Sequence, residues 1–162
     1  MKNHFFNVLF LFGFLVSPMH AAEKSKASDN ANLYIISPAH GETVTNPLKI
    51  VFGLEGMGVA PAGIKYTNTG HHHLLIDVAE PPDVNSPIPS DDNHRHFGNG
   101  QTEAAIELEP GEHTLQLMLG DHMHIPHDPV VVSKKIKINV EGKEIPPQEE
   151  TKCISNGYGG CK

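Results

Sequence analysis

The sequence of this 162-residue chain predicts an all-β fold, an immunoglobulin-like antiparallel β-sandwich of about seven strands with a long Pro-rich loop. Two features support this prediction. Short alternating or apolar runs follow one another from residue 33 to residue 140, and Gly, Pro or Asn residues separate them. None of these runs has the period of about 3.6 residues that an amphipathic helix requires. Short strands at this spacing are typical of a sandwich of two sheets.

Six of the runs are predicted to be strands. In chain order they are 33–37, 48–54, 71–78, 101–109, 113–121 and 130–140. Residues 55–70 and 79–100 are predicted to be loops. The second loop contains four prolines, which exclude a central strand but are compatible with a short extra one. A loop of that length inside a compact domain is usually functional.

The domain is expected to cover residues 32–141, and the chain before it is predicted to direct export. Residues 1–22 resemble a signal peptide, because Lys2 is followed by an apolar segment that ends near two alanines. We therefore expect a periplasmic or secreted protein whose mature chain starts with a flexible lead over 23–31. The apolar segment is too short to span a bilayer and no later one is longer, so no membrane insertion of the mature chain is expected.

Residues 142–162 are predicted to be an irregular tail that contains both cysteines, Cys153 and Cys161. An even number of cysteines in an oxidising compartment favours a disulfide, which here would close a small loop. A metal site with two thiolates is the alternative, although the usual Cys-x-x-Cys spacing is absent.

The charge and the histidine content limit the partners. The formal net charge is −7, and it becomes −8 without residues 1–22. Such a surface repels nucleic acid and anionic lipid but tolerates cations, so no nucleic-acid partner is expected. Twelve histidines are present, ten of them after residue 22. Histidine is the commonest metal ligand and titrates near neutral pH, so the arrangement of these residues decides the functional prediction.

The histidines of the 71–78 strand are predicted to lie on both of its faces, because side chains alternate along a strand. His72 shares the apolar face with Leu74 and Ile76, so we expect it at the edge of the core with a buried hydrogen bond. His71 and His73 share the opposite face. They are therefore candidates for chemistry outside the core.

The predicted topology gathers three His-x-His pairs at one end of the sandwich. In an immunoglobulin-like arrangement the strands 71–78, 113–121 and 130–140 lie side by side, and the first two are antiparallel. The start of the first strand then meets the end of the second, and the loops at that end carry the other pairs. The candidate metal ligands are His71, His73, His94, His96, His122, His124, His127 and Met123. His40 and His113 are expected at the opposite end.

Paired histidines at i and i+2 of an extended chain point the same way, which allows two imidazoles to bind one ion, and a second pair completes four-coordination. Imidazole with carboxylate suits zinc, nickel or oxidised copper, whereas methionine beside imidazole favours reduced copper. Copper is therefore the expected cofactor and zinc the alternative. The densest candidate segment is DHMHIPHDP, residues 121–129. A structural interpretation stays open, in which the histidines hydrogen-bond loop backbones and hold 79–100 against the sheet.

Three motifs carry a family resemblance: GHHHLLID (70–77), IPSDDNHRHFGNGQTE (88–103) and LEPGEHTLQLMLGDHMHIPHDPVVVSKKIKI (108–138). They resemble a bacterial exported family catalogued as a domain of unknown function, number 4399. The resemblance implies a conserved domain over about Gly70 to Val140 and no established activity. Residues 37–59 also resemble the first strands of periplasmic immunoglobulin-like modules. Among these, the copper-resistance sandwiches are similar in plan, but this chain has no histidine near its expected mature amino terminus.

Three functions are compatible with these features. The first is a soluble periplasmic metal-binding protein, a carrier, buffer or chaperone whose partners are a metal ion and a periplasmic protein that receives it. The second is a metal-dependent enzyme, either a hydrolase or one similar to copper–zinc superoxide dismutases, with Asp121 and Asp128 as the best carboxylate candidates. No catalytic residue is assigned, and enzymatic activity stays open. The third is a module that binds a protein or glycan through the loops at one end, with structural histidines.

Overall fold

The computed structural model describes residues 24–142, which form two β-sheets. Nine strands and no helix are found within this range. The strands are β1 (Asn32–Ser37), β2 (Glu42–Val44), β3 (Leu48–Glu55), β4 (Gly58–Val59), β5 (Thr69–Ile76), β6 (His94–Phe97), β7 (Glu103–Ile106), β8 (Gly111–Gly120) and β9 (Ile136–Val140). The predicted all-β sandwich is thereby confirmed.

The order of strands places β5 in the middle of the larger sheet. The three-stranded sheet has the order β1-β3-β7, and the six-stranded sheet has the order β2-β9-β8-β5-β4, with β6 also paired to β5. Strands β5 and β8 are antiparallel, with His71 opposite Gly120 and His73 opposite Met118. The predicted neighbours 71–78, 113–121 and 130–140 correspond to β5, β8 and β9, so this part of the predicted topology is correct.

The main core lies between the two sheets and uses one face of β5. Leu74 is fully buried there, together with Ile50 and Phe52 from β3 and Leu117 from β8. Each such side chain stabilises the fold by about 1.5–3 kcal/mol relative to an exposed one. His72 lies on the same face, with its ring centroid 5.0 Å from that of Phe52.

The expected hydrogen bond of His72 is also present. Its Nδ1 donates to the carbonyl oxygen of Gln101 at 3.0 Å. His72 is therefore a residue of the core edge, as its place in the alternating pattern predicts.

The outer face of the six-stranded sheet is covered by the Pro-rich loop between β5 and β6. Ile88 of this loop is buried and packs with Leu75 and Met118 in a second, smaller apolar cluster. The backbone N–H of Ile88 also donates to the carbonyl oxygen of His124 at 2.8 Å. The long loop thus forms a cover over the face that carries His71 and His73.

The predicted 101–109 and 130–140 strands are longer than β7 and β9, and the predicted 55–70 loop contains the short strand β4. Before β9, only an isolated bridge joins Val132 to Met118. The short extra strand allowed within 79–100 exists as β6.

The segment before β1 is bound to the domain, whereas the sequence predicts a flexible lead over 23–31. Ala27 N–H donates to the carbonyl oxygen of Asp128 at 3.0 Å, and Asp128 N–H donates to that of Ser25 at 3.0 Å. The polar composition of this segment favours disorder, but the two backbone hydrogen bonds to Asp128 hold it against the domain. We call residues 24–28 the amino-terminal strap.

Several predictions concern residues outside 24–142. The signal peptide and the pairing of Cys153 with Cys161 lie there, as does nearly all of the predicted tail. Within the range that the structure describes, no helix is long and apolar enough to cross a membrane.

Candidate metal centre

Four histidines from three separate segments meet on the outer face of the six-stranded sheet. His71 and His73 are neighbours on this face of β5, His96 lies on β6 directly opposite His73, and His124 lies in the loop after β8. The six distances between their ring centroids range from 4.8 to 6.0 Å. We call these four residues the histidine cluster.

Five of the eight ring nitrogens of the cluster are buried without partners. His71 and His73 are both 0% exposed, and neither ring nitrogen of either residue has a hydrogen-bond partner among residues 24–142. The same is true of Nε2 of His96. An unpaired buried polar group costs about 1–3 kcal/mol, and native structures contain few of them. Nε2 of His72, outside the cluster, is also buried without a partner in the described part of the chain. The concentration of five such nitrogens in one place makes the cluster a candidate site for a ligand, which could take one nitrogen of each ring.

The spacing of the rings suits a metal ion. One nitrogen from each of His71, His73 and His96 can be chosen so that all three lie within 4.8 Å of one another. A tetrahedral ion with metal–nitrogen bonds of about 2.0–2.1 Å holds the centroids of four imidazoles about 5 Å apart. Five of the six observed centroid distances, 4.8–5.1 Å, lie close to that value, and the distance between His73 and His124 is 6.0 Å.

Burial favours the neutral form of three imidazoles of the cluster, those of His71, His73 and His96. Burial, together with charge repulsion from the neighbouring His124 and His96, lowers the pKa of His71 from 6.5 to about 4. Burial lowers the pKa of His73 to a still lower value, again with contributions from the other rings. The pKa of His96 is lowered for the same reasons. Neutral imidazole is the form that binds metals, so these three rings favour the protonation state that a metal site requires.

Two glycines make room for the rings. A Cβ on Gly120 would lie 2.6 Å from Cε1 of His73, and a Cβ on Gly98 would overlap the ring of His96. Any side chain at either position would therefore displace one ring of the cluster. The sequence pattern alone does not mark Gly98, whereas Gly120 ends an apolar strand, where a glycine is a known sign of close approach.

A family model described as "Domain of unknown function (DUF4399)" matches residues 50–141, which is more than half of the chain. The chain belongs to the DUF4399 family. No curated protein and no solved structure matches it. The DUF4399 match contains every residue of the histidine cluster.

Of the eight candidate ligands predicted in the DUF4399 chain, the structure brings four together. These are His71, His73, His96 and His124, and they come from all three predicted His-x-His pairs. The cluster lies on the face of the sheet beneath the long loop, whereas the sequence predicts a position at the end of the sandwich. Strand β6 explains the difference, because it pairs along β5 and carries His96 over the sheet.

The other four candidates lie apart from the cluster. His94 is paired with Asp91, with 2.8 Å between Nδ1 and the carboxylate, and Nε2 of His127 lies 3.1 Å from the carbonyl oxygen of Thr69. His122 lies beside Asp121, with 3.7 Å between Nδ1 and the carboxylate, and the side chain of Met123 points outward, 58% exposed. In the pairs His94/His96 and His122/His124, one ring thus lies outside the cluster.

The two histidines predicted at the opposite end have partners there. Nδ1 of His113 lies 2.7 Å from the carboxylate of Asp77, and Nδ1 of His40 accepts a hydrogen bond from Lys137 N–H at 3.1 Å. Neither residue contributes to the cluster.

The loop that presents His124 is tightly hydrogen-bonded. One oxygen of the Asp121 carboxylate accepts from the N–H groups of Met123 and Ile125, at 2.8 and 3.0 Å. His124 itself has φ = 67°, a left-handed conformation that non-glycine residues adopt only when the surroundings hold them there. Asp121 is 4% exposed. Its burial raises the pKa, but the hydrogen bonds from Ser25, Met123 and Ile125 outweigh burial and lower it overall.

Proposed function

We propose that this protein binds one transition-metal ion, copper in the first place and zinc in the second, at the histidine cluster. It acts as an exported carrier, buffer or chaperone for that ion. The observation that carries this proposal is the set of four imidazoles whose centroids lie 4.8–6.0 Å apart around buried nitrogens without partners. An ion at the centre would satisfy one nitrogen of each ring.

The donor atoms support oxidised copper or zinc over reduced copper. All four donors are imidazole nitrogens, and such sites bind Cu²⁺ more tightly than the other divalent ions of the first row. A thioether would favour reduced copper, but the side chain of Met123 is exposed to solvent. Met118 lies opposite His73 and packs with Leu75 and Ile88 instead.

The burial of the histidine cluster favours a protein that holds the metal ion over one that uses it for catalysis. Structural metal sites are closed by four protein ligands, whereas catalytic sites keep one position open for water or substrate. Four rings surround the proposed ion, and two of them, His71 and His73, are 0% exposed. The formal net charge of −7 also favours the approach of cations.

A metal-dependent enzyme is the second candidate, and one observation favours it. The compact set of nitrogens comes from His71, His73 and His96, without His124. Three histidines with an open fourth position would let an ion activate water, with His124 beside it to take the proton. Turnover of a simple ester or of superoxide that depends on added zinc or copper, and that is lost with His124→Ala, distinguishes this candidate from a carrier.

Metal titration of the purified, untagged protein tests the proposal. Calorimetry with Cu²⁺ and Zn²⁺ is expected to give one tight site per chain. His73→Ala and His96→Ala each remove a ligand and should weaken binding by about 100-fold, which corresponds to about 2.7 kcal/mol.

Matched controls are available in the same chain. His94→Ala and His113→Ala also remove a histidine, but both rings are paired with aspartates outside the cluster. These variants should bind as tightly as the wild type. Equal losses in the control and cluster variants, or only weak binding by the wild type, would disprove the proposed site.

A further inference from the structure

A hydrogen bond between two side chains attaches the loop of His124 to the amino-terminal strap. The hydroxyl group of Ser25 donates to Oδ2 of Asp121 at 2.7 Å, across 96 positions of sequence. The other oxygen, Oδ1, is the one that accepts from the N–H groups of Met123 and Ile125. Ser25 thus orients the carboxylate that organises the loop.

The strap holds Ser25 firmly in this position. Its carbonyl oxygen accepts from Asp128 N–H at 3.0 Å, and the next bond along the strap runs from Ala27 N–H to the carbonyl oxygen of Asp128. Lys26 forms a parallel bridge with Asp128 between these two bonds. The strap is therefore paired with the far side of the loop that begins at Asp121.

The backbone of His124 is fixed from both sides. Its N–H donates to the carbonyl oxygen of Asp121 at 2.9 Å, and its carbonyl oxygen accepts from Ile88 N–H at 2.8 Å. A histidine at φ = 67° relaxes towards a more favourable conformation when such constraints are weakened. Because His124 is the ligand that comes from a loop, its ring would then leave the other three.

We infer that Ser25 and Asp121 are positioning residues of the metal centre, and that the amino-terminal strap sets its number of ligands. With the strap docked, Asp121 holds His124 against His71, His73 and His96. With the strap displaced, the centre keeps only the three histidines on strands. This inference rests on the proposed metal binding, and it identifies what regulates affinity at that site.

Four substitutions in the full-length protein distinguish the positioning of the His124 loop from the effect of the Asp121 charge. Asp121→Asn keeps an oxygen that accepts the loop N–H groups but loses the charge and replaces Oδ2 by an NH2 group, which can donate to the hydroxyl group of Ser25. Asp121→Ala loses both oxygens and the charge. Ser25→Ala removes the orienting hydroxyl group, and Ser25→Thr restores it. Ser28→Ala is the matched control on the same strap, because the hydroxyl group of Ser28 bonds to Asn30 instead.

The expected results are graded. Asp121→Ala should weaken Cu²⁺ binding by about 10- to 100-fold, the usual effect of losing a partner that orients a ligand, and Ser25→Ala should weaken it by several-fold. Asp121→Asn and Ser25→Thr should retain most of the affinity, and Ser28→Ala all of it. The nitrogen hyperfine pattern in the Cu²⁺ electron paramagnetic resonance spectrum should change from four nitrogens to three in Asp121→Ala.

A double-mutant cycle shows whether Asp121 acts through His124. In a His124→Ala background, Asp121→Ala should cause no further loss of affinity. Hydrogen exchange gives a test without any ion. In the metal-free protein, the His124 amide should exchange faster in Ser25→Ala than in the wild type, because Ser25 helps to hold His124 in place.

Two outcomes overturn the inference alone. One is an equal loss from Asp121→Ala with and without His124, and the other is an equal loss from Asp121→Asn and Asp121→Ala. Wild-type protein without a tight site would overturn the proposed function as well, so the two failures are distinguishable.

Discussion

Gly120→Ala is expected to disable the metal centre with the addition of one methyl group. The new Cβ would lie 2.6 Å from Cε1 and 3.1 Å from Nδ1 of His73. Carbon atoms in contact are about 3.5–4.0 Å apart, so the ring must move by about 1 Å. Metal–ligand distances tolerate only about 0.2 Å, and His73 is completely buried. We therefore expect the affinity for Cu²⁺ to fall by about 10- to 100-fold.

The metal-free protein should also be less stable. Excess volume in a packed site typically costs about 1–3 kcal/mol, which urea unfolding of the metal-free variant would measure. In a His73→Ala background the new methyl group has space, so the same glycine substitution should cost far less. Gly142→Ala is the control, because its Cβ would lie in ordinary contact, 3.7 Å from Pro110. Wild-type affinity and stability in Gly120→Ala would refute the idea that His73 is confined.

Three further predictions concern acidity and access. Because burial lowers the pKa of His71 and His73 from 6.5, the unfolded metal-free chain takes up protons that the folded one does not. Its free energy of unfolding should therefore decrease as the pH falls below about 6.5, and a flat profile in urea titrations would contradict this. Burial lowers the pKa of His113, but hydrogen bonds to Asp77 and to the Glu109 carbonyl outweigh it and raise the pKa overall. The stabilisation by His113 should be complete below pH 6.5 and disappear as the pH rises through the raised pKa, which comparison with His113→Gln between about pH 6 and 9 would detect. Ile88→Ala should cost about 2 kcal/mol, since its side chain is buried, and should accelerate metal release to a chelator in stopped-flow measurements; an unchanged rate would show that the loop does not limit access.

The face assignment of β5 could be predicted from the sequence because alternation in a strand is a local property. His72 lies towards the core, and His71 and His73 lie on the outer face, as period two requires. The antiparallel pairing of β5 with β8 could also be predicted, because the order of strands in a known sandwich plan determines it.

The choice of ligands within the loops could not be predicted in the same way. The orientation of His96 depends on the pairing of β6 with β5, and that of His124 depends on a left-handed residue held by Asp121. Hydrogen bonds between distant segments decide both, and a sequence pattern does not reveal them. The strap was missed for the same reason, because its polar composition resembles that of a free terminus.

The division of β5 into a core face and a histidine face makes this strand unusually intolerant of changes in length. A substitution affects one face, but a single inserted or deleted residue exchanges the two. Leu74 would then turn to the outer surface while one of the outer histidines entered the apolar interior, so the fold and the binding site would fail together. Homologues are therefore expected to accommodate gaps in the connections before and after this strand, and to keep its residue spacing constant.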